Sequence, residues 1–98
     1  IRDACRQLDD FQLEGCILYS SSEPCPMCLG AIYWARPLKV VFATSREQAA
    51  RAAFDDQLIY EQINVPPEER TIPALHIPLE EGKVPFQEWK DKEDKIIY

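Results

Sequence analysis

A chain of 98 residues, 46% hydrophobic and 29% charged, holds material for one soluble domain at most. It has no apolar run near the roughly 20 residues needed to cross a bilayer. Its net charge of -6 argues against a surface built to neutralise phosphates, since nucleic-acid affinity rests on clustered Lys and Arg releasing counterions. A small neutral substrate is the better match, with neither nucleic acid nor membrane as partner.

The chain opens at Ile1 without an initiator Met and without the basic start and apolar stretch of a signal peptide, so it reads as the middle of something longer. Ile1, Cys5, Leu8 and Phe11 share one stripe at helical spacing, which predicts an amphipathic helix over residues 1–12. Gly15 breaks that pattern. Cys16-Ile17-Leu18-Tyr19 then has the length and apolarity of a buried strand, and Ser20-Ser21-Ser22-Glu23 reads as the loop that ends it. A second helix is expected from Pro24, because proline is tolerated in a first turn. Cys28, Ile32 and Ala35 share one of its faces until Arg36-Pro37 stops it.

Leu38 to Ala43 supplies the next strand. Thr44 or Ser45 is placed to cap a third helix through Arg46–Phe54, with Glu47 or Gln48 completing a capping box. The alternation of helices and strands predicts an α/β fold whose strands run parallel where helical crossovers join them. Residues 57–63 suit a short helix. Five of the eight prolines fall between Pro66 and Pro85, so that stretch is expected to be largely irregular. Phe86, Trp89, Glu93 and Ile96 recur at helical spacing and predict a terminal helix anchored by Trp89, with Tyr98 at the end.

The chemistry concentrates in Glu23-Pro24-Cys25-Pro26-Met27-Cys28, between a predicted strand and a predicted helix. Two cysteines three apart in a first helical turn project to one side, where free backbone N–H groups and the positive helix end favour thiolates. Zinc binds such thiolates, and a catalytic site uses three protein ligands with an open fourth position. Pro24-Cys25-Pro26-Met27-Cys28 matches the P-C-x-x-C half of the zinc-deaminase signature, whose other half is H-x-E. A thioredoxin-like dithiol also follows a strand and opens a helix, and a closed structural zinc site would need two further ligands. Neither Cys5 nor Cys16 forms a second pair of this kind. His76, the sole histidine, lies among apolar residues with Ile77-Pro78 after it. It is therefore not the His of an H-x-E, and it reads as a packing or surface residue. With no export signal visible, the four cysteines are expected to be reduced thiols in the cytoplasm.

From Pro24 to Pro37 the sequence PCPMCLGAIYWARP resembles the zinc helix of bacterial guanine deaminases of the cytidine-deaminase fold. The resemblance continues through Phe54-Asp55-Asp56, Ile59-Tyr60, Pro67-Glu68-Glu69-Arg70-Thr71-Ile72-Pro73, Pro85-Phe86-Gln87, Trp89 and Tyr98, and so covers nearly the whole chain. It implies a cytidine-deaminase-like three-layer α/β/α sandwich, incomplete at the N-terminus because the family's H-x-E lies upstream of the first helix here. Residues 1–98 would form the C-terminal portion of one deaminase domain, with 61–98 an irregular segment plus a terminal helix able to swap onto a partner in a homodimer.

The implied activity is hydrolysis of guanine to xanthine and ammonia, using zinc-activated water and a glutamate that moves protons. By the same resemblance Cys25 and Cys28 are zinc ligands. Asp56 accepts guanine N–H groups or assists proton transfer at the amino group, Trp34 packs against the purine, and Tyr98 closes over the site. An Asp at position 56 could equally cap the helix at 57–63; the resemblance favours the functional role and leaves capping to Asp55. Without the His and Glu of H-x-E, the 98 residues alone are expected to be inactive. A tRNA adenosine deaminase shares the cysteine motif, but the acidic balance and Phe54-Asp55-Asp56 speak against it.

Overall fold

Two parallel strands joined through a helix organise the first part of the chain in the computed structural model, which describes every residue except 55 and 98. Helix α1 (Arg2–Leu8) ends at Asp9, whose left-handed backbone (φ 51°) turns its N–H back to the Cys5 carbonyl. It is shorter than the predicted 1–12, because that turn takes Phe11 off the helical stripe. Strand β1 (Ile17–Ser22) pairs in parallel with β2 (Lys39–Thr44), in a register running from Ile17 opposite Lys39 to Ser22 opposite Thr44. The predicted parallel pairing is thus present. The expected loop at Ser20–Ser22 is instead the second half of β1, since a ladder is made by backbone groups and tolerates serine wherever a partner strand continues. Nor is β1 buried throughout: Leu18, Ser20 and Ser22 are half-buried, while Ile17 and Tyr19 on the other face are exposed.

Between the strands runs α2 (Pro26–Ala35), with Cys25 in extended conformation at its N-cap and Pro26 in its first turn. Arg36 ends it in the left-handed region (φ 53°), and Pro37 forbids continuation, as the sequence predicts. Ile32 and Ala35 of α2 pack with Leu13 to make the buried core of this unit. Leu13 lies in the loop after α1 and donates its N–H to the Ala35 carbonyl at 2.6 Å. Cys28 shares the helical period of Ile32 and Ala35 but lies one turn nearer the N-terminus, where it is exposed.

Helix α3 (Arg46–Arg51) begins at a capping box: the Ser45 hydroxyl accepts the Gln48 N–H, and the Gln48 side chain accepts the Ser45 N–H at 2.9 Å. It stops short of the expected Phe54 because Ala53 takes a positive φ of 67°. Helix α4 (Gln57–Ile63) has the predicted bounds, with Asp56 at its N-cap position. The cap assigned to Asp55 lies outside the described residues.

The chain divides into two compact units, Ile1–Pro66 and Pro67–Tyr98. In the second, 3-10 turns at Pro67–Glu69 and Glu80–Lys83 interrupt irregular backbone, as the proline density implies. Helix α5 (Val84–Asp91) follows. It ends at an extended Lys92, so Glu93 and Ile96 lie beyond it, and Trp89 remains 41% exposed rather than buried as an anchor. Among the described residues, no helix is long and apolar enough to cross a membrane.

Candidate functional site

The C-terminal ends of the two parallel strands open on one cleft. Such an edge is where α/β sheets commonly bind ligands, because the following loops and helix N-termini converge there. β1 delivers Ser21, Ser22 and Glu23 and then the turn to Cys25, while β2 delivers Thr44 and then Arg46 and Gln48 of α3. Ala49, Ala52, Phe54 and Asp56 complete the wall of a cleft of about 650 Å³. That volume lies within the usual range for small-molecule sites, about 300–1,000 Å³, and the lining is mainly apolar with a few polar groups.

Cys25 sits at the N-cap of α2, so its sulfur meets backbone donors that have no partner within the helix. The Cys28 N–H holds the Cys25 thiol below the ordinary thiol value, reinforced by the Cys28 thiol and the Met27 N–H; burial and the nearby charge of Asp56 pull the other way. Cys28 is pushed up, chiefly because it shares a hydrogen bond with Cys25 and then because it faces the Cys25 charge. Of the two thiols, set in the first turn of α2, Cys25 is thus the one that gives up its proton more readily. In the metal-free chain Cys25 should alkylate with iodoacetamide at lower pH than Cys28, since the group with the depressed pKa becomes thiolate first. Mass spectrometry of the two labelled positions across a pH series checks this, and labelling of Cys28 first would contradict it.

The donor chemistry fits half of a zinc site. Two free thiols share one helical turn, and no group of three His, Cys, Asp or Glu side chains able to hold a metal occurs among the described residues. His76 lies in an exposed irregular stretch of the second unit.

Asp56 is half-buried and lines the cleft with Cys25. Although it occupies the N-cap position of α4, its side chain makes no cap hydrogen bond. Trp34, two turns along α2, is 66% exposed and is not among the described residues that line this cleft. Tyr98 lies outside the described residues. The sequence brings forward Cys25, Cys28 and Asp56 but gives no role to Arg46 or Tyr60 and places Glu23 only at the end of a polar loop. Glu23 in fact caps α3 from a distance, its Oε2 accepting the Arg46 N–H at 2.9 Å. The available signal was the position of Arg46 directly after a capping serine, where a backbone donor needs an outside acceptor.

Residues 1–44 match the family model described as the cytidine and deoxycytidylate deaminase zinc-binding region. The chain is 54% identical over all 98 residues to guanine deaminase of Bacillus subtilis strain 168 and spans 63% of that protein's length. It is 52% identical over 42 residues to the tRNA-specific adenosine deaminase of the same organism, a match that spans 43% of this chain and 26% of the relative. A crystal structure of guanine deaminase from Bacillus subtilis superposes with a TM-score of 0.95, covering 100% of this chain and 62% of the solved one.

Proposed function

We propose that the chain, whose residues 1–44 match the cytidine and deoxycytidylate deaminase zinc-binding region and whose fold superposes on guanine deaminase, is a portion of a zinc-dependent enzyme that hydrolyses guanine to xanthine and ammonia. The observation that carries the reading is the convergence of Cys25 and an uncapped Asp56 on one small-molecule cleft. The identity to guanine deaminase over the whole chain supports the substrate choice, whereas the tRNA adenosine deaminase match is confined to 42 residues.

In this reading Cys25 and Cys28 hold zinc through their sulfurs, with the α2 amides favouring the thiolate at Cys25. The chemistry that zinc supplies when bound is a water acidic enough to act as nucleophile at neutral pH. Asp56 accepts the N–H groups of guanine and moves a proton at the departing amino group, for which an ionised carboxylate with free lone pairs is suited. The apolar cleft walls from Ala49, Ala52 and Phe54 hold the flat base and thin out the water around it. Trp34 and Tyr98 are proposed as further contacts to the purine. We extend the reading to a cytoplasmic homodimer, supported by four free cysteines and by large apolar side chains left exposed, such as Tyr19, Tyr33 and Trp34.

The test is direct. A protein that joins this segment to an H-x-E-bearing N-terminal segment is expected to bind one zinc per subunit and release ammonia from guanine, followed by xanthine absorbance, while leaving tRNA adenosine untouched. The 98 residues alone, which contain no H-x-E, are expected to give no turnover. Deamination of tRNA instead of guanine would replace the substrate reading with the adenosine deaminase one.

A further inference from the structure

The residues that lead into Cys25 are gripped by groups to which the deaminase reading gives no task. The Glu23 N–H continues the β-ladder to the Thr44 carbonyl at 2.8 Å, and the Glu23 carboxylate takes the Arg46 N–H at 2.9 Å. One residue later, the Pro24 carbonyl accepts the Tyr60 hydroxyl at 3.2 Å. The Arg46 guanidinium lies over the Tyr60 ring, 4.5 Å from its centroid, so the two tethers brace each other. Glu23, Pro24, Arg46 and Tyr60 are all half-buried, where such bonds are better shielded than in open water.

Tyr60 belongs to α4, and its N–H closes the first turn of that helix onto the Asp56 carbonyl at 3.4 Å. Helix α4 contributes no buried residue, so core packing does not fix where it stands. A continuous bonded path therefore runs from the peptide preceding Cys25, through the Tyr60 hydroxyl and ring, to the backbone of Asp56. We propose that Tyr60, braced by Arg46, is a positioning residue that sets the spacing between the metal-binding Cys25 and the substrate acid Asp56. This inference rests on the deaminase reading but concerns residues that the reading does not use.

The test is Tyr60→Phe in the zinc-loaded enzyme with a complete deaminase domain, since phenylalanine keeps the ring under Arg46 and removes the hydroxyl alone. The expected result is a kcat for guanine about threefold to tenfold lower with a smaller change in KM, the scale of one lost hydrogen bond. Zinc affinity by chelator competition is expected to fall about tenfold, as when a partner supporting a ligand is lost. In an Asp56→Asn background the kcat effect of Tyr60→Phe is expected to vanish, because the distance it controls no longer matters. Unchanged zinc affinity, or an equal kcat loss in both backgrounds, would overturn the proposal. If the wild type bound zinc but left guanine untouched, the substrate reading alone would fall, and the zinc affinity of Tyr60→Phe would still decide the tether.

Discussion

Replacing Cys25 by serine in the enzyme with a complete deaminase domain is expected to remove both zinc and guanine turnover while leaving the fold in place. Cys25 occupies the N-cap of α2, and serine is among the preferred residues there, so the helix start is preserved or improved. What the substitution removes is a soft, ionisable ligand. The amides of Cys28 and Met27 that favour a thiolate at Cys25 cannot bring the far less acidic hydroxyl to ionise at neutral pH, so serine stays protonated and binds zinc poorly. Turnover should fall roughly a thousandfold or more, corresponding to about 4 kcal/mol of lost transition-state stabilisation. Metal analysis of the purified variant, beside its guanine activity and far-UV circular dichroism, checks the three parts separately. A folded variant that retained zinc and activity would remove Cys25 from the site.

Asp56→Asn should be the next most damaging change, with kcat/KM for guanine lower by about 10²–10⁴ and zinc content unchanged. Asparagine has the same shape and is as good an N-cap, so a role in holding the start of α4 would survive the exchange and a role in proton transfer would not. The Asp56 side chain makes no cap hydrogen bond, so the exchange takes no such bond from the start of α4. An independent signature accompanies it. The Asp56 charge pushes the Cys25 pKa upward, so its removal should lower that pKa further and shift metal-free Cys25 alkylation to more acidic pH. Wild-type activity in Asp56→Asn would assign this residue to structure alone.

Legibility in the sequence followed the range of the interactions involved. The cysteine pair was readable because its geometry is local: two side chains one helical turn apart, with Pro26 announcing the helix and Arg36-Pro37 its end. The parallel pairing was readable because a helical crossover between short strands leaves few alternatives. Strand β1 was underestimated because Ser20–Ser22 carry no apolar alternation, although their backbone pairs as well as any other. Leu13 escaped notice as a core residue because a lone leucine in a loop has no periodicity to betray it. The early ends of α3 and α5 have local causes, the positive φ of Ala53 and the extended Lys92, that no apolar pattern records. Glu23, Arg46 and Tyr60 were hidden most thoroughly, since their roles exist only once distant segments meet.

Those distances along the chain bear on how the cleft comes into being. The contacts that frame Cys25 join residues 22, 23 and 36 positions apart: Ser22 with Thr44, Glu23 with Arg46, and Pro24 with Tyr60. The spacing of the two thiols is set within the first turn of α2, whereas the groups around them arrive only through those three loops. Each closure costs chain entropy before any contact repays it. The cleft is thus framed by contacts that local helix formation cannot supply, and it exists only where segments distant along the chain meet.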